Sequence, residues 1–323
     1  MGQDMLKWIG VTLLVAIVAV VAATLWKVEQ RKATAKAKFA PDGDFVDVDG
    51  HPVHYVERGN PEAPTVVLLH GASGNTRDFT YDLVDRLTDK YRVIVFDRPG
   101  LGHTPALAKN GVTIAQQAAL LSQASLKIVV KNPIVAGQSF GGAVTMAWAV
   151  HHPDNIAAAV SIAGATYPWE GGLNGFYARL ADPWKGPVVA RLISAWASED
   201  YVADSIAGIF APQSAPEGYA HYVGVPLILR PASLLANAQQ RHELRPELRA
   251  LAPLYKTLTL PVEIVHGDVD TTVGLHLHST RMVDDIPGAN LVALKGVGHM
   301  PHHTNPDDVV DAIDRAAARA GLH

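Results

Sequence analysis

The chain opens with a long apolar segment that carries no charged side chain. Seventeen residues, Ile9 to Leu25, lie between Trp8 and Trp26 and consist mainly of Val, Ala, Leu and Ile. As a helix this segment is roughly 26 Å long, and the flanking tryptophans lengthen it toward the bilayer core of about 30 Å. The pattern predicts one transmembrane helix at about residues 8–26, within an anchor and basic stalk at residues 1–40.

A cleaved signal peptide is the alternative interpretation of this segment, because Val21-Ala22-Ala23 offers small residues of the kind found at cleavage sites. The apolar run, however, exceeds the usual length of about 7–15 residues, and Lys7 is the only basic residue before it. We therefore favour a retained anchor.

Basic residues after the segment bear on which side of the membrane the folded domain occupies. Residues 27–38 contain one acidic residue, Glu29, and five basic ones, which are Lys27, Arg31, Lys32, Lys36 and Lys38. The positive-inside rule places them, and everything after them, on the cytoplasmic side. A short N-terminal tail before a large domain is also the layout of a signal-anchored protein that faces outward. Both orientations stay open, and the cytoplasmic one is favoured.

Charge is distributed unevenly along the chain. Residues 1–38 hold six basic and two acidic side chains, a net charge of +4, so the other 285 residues carry about −8 of the overall −4. This asymmetry suits a basic stalk on anionic lipid and argues against a nucleic-acid partner. The chain has no cysteine, which excludes disulfides, thiolate metal sites and a cysteine nucleophile.

From Pro41 onward, short apolar runs alternate with helical patterns, which is typical of βαβ units around a mostly parallel sheet. We therefore predict an α/β domain at residues 41–323. Phe79, Leu83 and Leu87 are spaced by four and predict an amphipathic helix. Two early apolar runs, residues 45–48 and 53–56, predict a hairpin that turns at Asp49-Gly50. The predicted strands are 45–48, 53–56, 65–69, 92–96, 133–136, 157–162, 261–265 and 290–294.

A stretch at about residues 167–260 loses this alternation and predicts a helical lid inserted into the sheet domain. It is rich in aromatic residues. We expect most of them to pack the lid onto the core and a few to line an apolar pocket. They are Trp169, Phe176, Tyr177, Trp184, Trp196, Tyr201, Phe210, Tyr219 and Tyr222.

The strongest chemical motif is Gly137-Gln138-Ser139-Phe140-Gly141, which follows a predicted strand and precedes a predicted helix. A nucleophile at such a sharp turn has a strained backbone, and side chains two residues away on either side collide unless they are glycine. Both positions are glycine here. The motif therefore predicts Ser139 as a nucleophile.

With this motif the chain resembles the α/β-hydrolase superfamily, and the resemblance covers residues 45–320. It implies an eight-stranded, mostly parallel sheet flanked by helices. His70-Gly71-Ala72 at the end of an early strand implies that the backbone N–H groups of Ala72 and Phe140 form the oxyanion hole, with His70 as a structural residue. The family's Asp-x-x-Gly-x-Gly loop appears as residues 97–102 and is interpreted as scaffold at the pocket rim.

Two further positions complete the resemblance. The family places its acid three residues after a glycine that ends a late strand, and in His266-Gly267-Asp268-Val269-Asp270 this selects Asp270. Asp268 stays an alternative acid, but its simpler interpretation is a turn residue whose side chain bonds its own backbone. Gly296-Val297-Gly298-His299 matches the family's histidine turn, so His299 is the expected base. The order Ser139, Asp270, His299 is that of the superfamily.

The chain contains fifteen histidines, so a single histidine carries little information. His302 and His303 beside His299 suggest a metal site, but no carboxylate at ligand spacing accompanies them in the sequence, and we predict no metal. His276 and His278 are expected at the surface.

An activated serine beside an oxyanion hole implies acyl transfer, and we expect hydrolysis of carboxylic esters through an acyl-enzyme without a cofactor. Serine rather than aspartate at position 139 argues against dehalogenases and epoxide hydrolases. The aromatic lid and the anchor predict a small-molecule ester with an apolar acyl part. Lactonases, thioesterases, cofactor-free haloperoxidases and carbon–carbon bond hydrolases of the same fold remain alternatives. A membrane-anchored binding protein without activity is the alternative from a different class, and the pattern does not predict an oligomeric state.

Overall fold

The computed structural model describes residues 2–107, 112–171 and 175–322. It begins with α1 (Gln3–Lys38), a helix of 36 residues that is long and apolar enough to cross a membrane. Residues 3–22 of this helix are exposed. The predicted span and the basic stalk therefore form one continuous helix, whose first half stands clear of the folded body.

Eight strands form one sheet with the order β1-β2-β4-β3-β5-β6-β7-β8, in which β2 is antiparallel to β1 and β4 and all other neighbours are parallel. This confirms the predicted mostly parallel sheet and its N-terminal hairpin. The hairpin turns at Asp49 and Gly50, whose φ angles of 53° and 84° suit a two-residue turn between twisted strands. The strands are β1 (Asp44–Val48), β2 (His51–Arg58), β3 (Thr65–Leu69), β4 (Arg92–Phe96), β5 (Ile134–Gln138), β6 (Ala158–Ile162), β7 (Val262–Gly267) and β8 (Asn290–Leu294).

Helices cover both faces of the sheet. After α1 the described helices are α2 (Arg77–Thr80), α3 (Leu83–Leu87), α4 (Ile114–Lys127), α5 (Phe140–His151), α6 (Gly175–Ala181), α7 (Gly186–Trp196), α8 (Glu199–Ile209), α9 (Tyr219–Tyr222), α10 (Val225–Ile228), α11 (Pro231–Leu251), α12 (Ser279–Asp285), α13 (Pro301–Thr304) and α14 (Pro306–Arg319). Two 3-10 helices, Pro153–Asn155 and Ala252–Thr257, complete them.

Alternate strand residues feed two separate apolar cores, because successive side chains of a strand point to opposite faces. Val67 and Leu69 of β3 pack with α4 and α5 on one face. Val66 and Leu68 pack with α3 and α14 on the other. The apolar faces of the flanking helices thus hold the sheet between two layers.

The single amphipathic helix predicted around Phe79, Leu83 and Leu87 is wrong in detail. The structure has two short helices, α2 and α3, because the backbone of Asp82 leaves the helical region with φ −152°. All three apolar side chains are nevertheless buried. Their spacing therefore identifies the face that packs against the sheet.

Between β6 and β7 the chain forms α6 to α11, which we call the helical insertion. The end of α1 is fixed to it by hydrogen bonds. Trp196 Nε1 donates to Thr24 Oγ1 at 3.0 Å, and Arg31 Nη2 donates to the carbonyl oxygen of Ala197 at 3.0 Å. The C-terminal half of α1 is therefore packed against the folded body.

Candidate active site

Ser139 lies in the turn between β5 and α5, near the centre of the sheet. Its φ of 53° is in the left-handed region that a non-glycine residue rarely adopts. A Cβ added at Gly137 would overlap the carbonyl oxygen of Gly141, and one added at Gly141 would overlap that of Leu69. The two glycines are thus required by close backbone approach, and they allow the turn that presents Ser139.

Asp270 and His299 lie at the carboxyl ends of β7 and β8 and contact each other. Asp270 Oδ2 is 2.7 Å from His299 Nδ1, while Oδ1 accepts hydrogen bonds from the backbone N–H groups of Thr272 and Val273 at 2.8 and 2.9 Å. Burial acts to raise the pKa of Asp270, but hydrogen bonds from His266 and His299 outweigh it and hold the pKa below its usual range. Asp270 is therefore an anion fixed against one ring nitrogen of His299.

The other ring nitrogen of His299 faces the serine turn. Its Nε2 lies 3.3 Å from Gln138 Nε2, and the same Gln138 amide donates to the carbonyl oxygen of His299 at 3.2 Å. Within the described residues no hydrogen bond joins Ser139 Oγ to His299, although both line one cavity. The structure thus pairs the predicted acid and base and places the predicted nucleophile beside them.

The two residues predicted to form the oxyanion hole line the same cavity as Ser139. They are Ala72, after β3, and Phe140, the first residue of α5, and each carries a backbone N–H group. Among the described residues neither group has a hydrogen-bond partner. Because the N-terminal N–H groups of a helix have no partner within it, Phe140 N–H is free to bind an oxyanion. The two predicted oxyanion-hole residues are brought together with Ser139.

A buried arginine supports these backbone groups. Arg98 Nε donates to the carbonyl oxygen of His70 and Nη2 to that of Gly71, both at 2.8 Å. Its guanidinium carbon also lies 4.4 Å from the centre of the Phe140 ring. Burial lowers the pKa of Arg98 to about 9. Arg98 therefore holds both sides of the predicted oxyanion hole.

The cavity at Ser139 has two lobes that share Ala72, Ser139, Tyr177, Arg241 and Thr272. The first lobe has a volume of about 400 Å³ and the second about 240 Å³. Apolar side chains from residues 167–260 line part of both lobes. In the first lobe they include Trp169 and Leu244, and in the second Val202, Ile206, Ile209, Phe210 and Tyr219.

His278 is buried, so the expectation that it lies at the surface is wrong, whereas His276 is exposed. His278 Nδ1 accepts hydrogen bonds from the backbone N–H groups of Thr166 and Tyr167 at 3.1 and 3.0 Å, and the ring lines the first lobe. Burial is the main cause that lowers the pKa of His278 to about 4. Its ring is therefore neutral at neutral pH.

This histidine makes stability depend on pH. In the unfolded chain His278 binds a proton near pH 6.5, whereas in the folded chain its pKa is about 4. Acidification from pH 7 to 5 therefore favours unfolding. For this group the free energy of unfolding falls by on the order of 1–2 kcal/mol. We expect His278→Asn to reduce the acid-dependent loss of stability by this amount. His276→Asn is the matched control, and urea unfolding at pH 7 and 5 is the measurement. Equal pH dependence in all three proteins would contradict the assignment.

His302 and His303 contact a carboxylate that sequence spacing does not reveal. Asp78 Oδ1 accepts hydrogen bonds from Tyr219 Oη at 2.6 Å, from His303 Nε2 at 2.9 Å and from His302 Nε2 at 3.2 Å. Burial acts to raise the pKa of Asp78, but the two histidines outweigh it and hold the pKa well below its usual range. The fold therefore brings a carboxylate to these histidines, although none accompanies them at ligand spacing in the sequence.

The three ligand atoms lie within 4.8 Å of one another, which is the spacing of a possible metal site. A histidine that binds a metal through Nε2 needs an acceptor for its Nδ1 hydrogen. Both Nδ1 atoms are buried without a partner among the described residues. The cluster thus fits a hydrogen-bonded carboxylate that joins α2, α9 and α13 better than it fits a metal centre.

Asp268, the alternative acid, makes no hydrogen bond with His299 among the described residues. Its Oδ1 accepts a hydrogen bond from the backbone N–H of Gly296 at 2.6 Å, so it closes the turn after β8 rather than bonding its own backbone. His70 is buried, and its Nε2 accepts from the N–H of Arg98 at 3.1 Å, which agrees with the structural role expected for it.

A sequence model of the alpha/beta hydrolase fold matches residues 64–306. The chain is 26% identical over 266 residues to a pimeloyl-[acyl-carrier protein] methyl ester esterase of Aeromonas hydrophila, which covers 78% of this chain and 95% of that protein. It is 36% identical over 113 residues to an acetyltransferase component of the acetoin cleaving system of Cupriavidus necator, but this match covers only 29% of that protein.

Solved structures share the fold at low sequence identity. A bacterial membrane phospholipase A superposes with a TM-score of 0.65 at 20% identity, over 97% of this chain and 98% of that one. The enol-lactonase of Burkholderia xenovorans superposes with a TM-score of 0.69 at 19% identity, over 85% and 99% of the two chains. With the family match over residues 64–306, these comparisons establish that the chain belongs to the alpha/beta hydrolase family.

Proposed function

We propose that this hydrolase cleaves carboxylic esters through an acyl-enzyme on Ser139. The observation that carries the proposal is the Asp270–His299 hydrogen bond of 2.7 Å, which lies beside a serine in strained backbone at the junction of two largely apolar lobes. Asp270 fixes the His299 tautomer whose Nε2 can accept a proton. The pair thus supplies a base next to the nucleophile.

In this mechanism His299 Nε2 accepts the Ser139 hydroxyl proton while Oγ attacks the ester carbonyl carbon. The negative charge on the former carbonyl oxygen is stabilised by the N–H groups of Ala72 and Phe140. The tetrahedral intermediate expels the alcohol, which takes the proton from His299. Water then gives a proton to His299, attacks the acyl carbon and releases the acid, so Ser139 regains its proton.

The two lobes suggest where each part of the ester binds. His299 lines the second lobe, and it must reach the leaving oxygen, so we place the alcohol there. Phe140, a proposed oxyanion donor, lines the first lobe, which would hold the acyl group against Trp169 and Leu244. Because the helical insertion contributes side chains to the walls of both lobes, we propose that residues 167–260 act as the lid of a catalytic domain at residues 41–323.

We also propose that α1 anchors this domain to a membrane as a single span within residues 1–40. The exposed apolar first half of α1 supports this assignment. An anchored domain has its cavity close to the lipids, so we propose lipid-derived esters as its substrates. The same layout suits either side of the membrane, and the basic collar favours the cytoplasmic one.

Turnover of p-nitrophenyl esters from acetate to long-chain acyl tests the proposed reaction. We expect the full chain in detergent to prefer acyl groups longer than acetate, because a first lobe of about 400 Å³ has apolar walls that a small acyl group leaves unfilled. Ser139→Ala is the control and should be inactive on every ester. Activity limited to acetate would contradict the acyl assignment, and turnover of only lactones or thioesters would replace the ester proposal.

A further inference from the structure

Helix α7 carries a row of exposed apolar side chains. Trp184, in the turn before the helix, and then Val188, Leu192 and Trp196 follow at intervals of four, with exposed fractions of 87%, 59%, 44% and 51%. Side chains four residues apart lie on the same side of a helix. They form a row of about 18 Å, which we call the α7 stripe.

The opposite side of α7 is apolar as well. Ala190 is buried, and Val189 and Ile193 pack with Leu180 and Ala238 of the neighbouring helices α6 and α11. A helix with apolar side chains on two opposite sides is typically covered on both of them. Isolated apolar residues at a surface need no explanation, but a continuous row with two tryptophans indicates a contact surface.

The position of α1 indicates what covers the stripe. Trp196 Nε1 donates to Thr24 Oγ1, and Thr24 belongs to the uncharged segment that can cross a bilayer. Lys27 Nζ, one turn later, lies 4.3 Å from the centre of the Trp196 ring. When α1 spans a membrane, Trp196 therefore lies where the span leaves the hydrocarbon, the depth at which tryptophan is enriched.

Charge near the stripe is compatible with lipid headgroups. Arg191 is the one charged residue within α7, and Lys185 directly precedes the helix. Arg191 Nη1 donates to the carbonyl oxygen of Pro187, so the side chain lies along the helix instead of projecting away from it. Basic side chains beside an apolar row are typical of helices that lie in a membrane interface.

We propose that the α7 stripe lies in the interfacial layer of the bilayer that α1 crosses, with its apolar side chains among the lipid acyl chains. The inference rests on the proposed anchoring by α1. A single helix leaves the attached domain free to rotate, whereas a second contact through α7 fixes the orientation of the helical insertion relative to the membrane. The lobes that the insertion lines are thereby held at a constant distance from the lipids.

The absence of cysteine makes a direct test simple, because each introduced cysteine is the only one in the chain. The full-length variants Val188→Cys and Leu192→Cys are labelled with an environment-sensitive fluorophore and reconstituted in phosphatidylcholine–phosphatidylglycerol vesicles. Val129→Cys, 74% exposed after α4, is the aqueous control, and Ile17→Cys within α1 is the control for the span. Quenching by nitroxide-labelled lipid is compared with quenching by aqueous iodide.

We expect the labels at Val188 and Leu192 to shift to the blue and to be quenched more by the lipid nitroxide than by iodide, which is the reverse of Val129. Iodide quenching equal to that of Val129, with Ile17 still quenched by lipid, would overturn the stripe proposal and leave the anchor intact. Protection from both quenchers would also overturn it, because a second protein copy would then cover the stripe. Failure of lipid to quench Ile17 would remove the anchor itself and the inference with it.

Discussion

Asp270→Asn is expected to lower kcat for a soluble p-nitrophenyl ester by on the order of 10⁴-fold, because an amide in this position favours the wrong tautomer of His299, the proposed base. The asparagine oxygen can still accept the backbone N–H groups of Thr272 and Val273, which now bond Asp270 Oδ1. Its NH₂ group then replaces Oδ2 and cannot accept the hydrogen of His299 Nδ1. The fold should therefore persist while the base is lost.

Asp268→Asn is the matched control for this variant. Asp268 accepts only the N–H of Gly296 among the described residues, and an asparagine oxygen can replace it there. We expect its kcat to stay within about tenfold of the parent protein, since no contact to His299 changes. The opposite order, with Asp268→Asn inactive and Asp270→Asn active, would move the acid to Asp268. Circular dichroism of both variants checks that they are folded.

Arg98→Met is expected to have the largest effect on stability. It removes the donor of the His70 carbonyl oxygen and of the side-chain oxygens of Gln117 and Gln240, all of which are buried. It also removes the guanidinium from the Phe140 ring. A buried oxygen that loses its donor costs about 1–3 kcal/mol, so these three oxygens together cost about 3 kcal/mol or more. We expect the free energy of unfolding, measured with urea, to fall by about this amount.

Arg86→Met is the control, because Arg86 contacts Asp82 and Asp307 at the surface of the protein. Surface ion pairs contribute about 0–1 kcal/mol, so this variant should be nearly as stable as the parent. Similar losses in the two variants would show that Arg98 has no special role. A stable Arg98→Met protein would likewise contradict the view that Arg98 holds the loop around Ala72.

The sheet could be predicted in detail because five of its parallel strands, β3 to β7, are buried on both faces. A buried parallel strand requires a continuous run of apolar residues, and such runs are visible in the sequence at all six parallel positions. The predicted run 133–136 is β5 (Ile134–Gln138), which extends two residues further because Gly137 and Gln138 are buried despite their lack of apolar side chains. The end of this strand is therefore harder to predict from the sequence than the presence of the strand.

The predicted site residues could be identified because each stands at a fixed distance from a strand end. Ser139, Asp270 and His299 all follow parallel strands, whose carboxyl ends meet at one edge of the sheet. The Asp78 cluster could not be predicted in this way. Asp78 lies more than 200 residues from His302 and His303, and only the folded sheet brings α2 next to α13. A polar residue on a short helix gives no sequence signal of such a contact.

His278 shows a second limit of sequence interpretation. Its polar ring and its neighbour His276 suggest an exposed loop, but two backbone N–H groups after β6 turn toward it and need an acceptor. Backbone groups that require partners depend on local geometry, not on residue type. Gln138, whose amide bonds the carbonyl of His299, is a similar case, since its role follows from the turn that it shares with Ser139.

Labelling with a fluorophosphonate probe tests the central claim most directly, because the probe forms a covalent bond only with an activated serine. The intact full-length protein is labelled, digested and analysed by mass spectrometry, with Ser139→Ala as the control. We predict one adduct, on the peptide that contains Ser139, and none in the variant. An adduct on another serine, or no adduct on folded protein, would contradict the proposal that Ser139 is the nucleophile of an ester hydrolase.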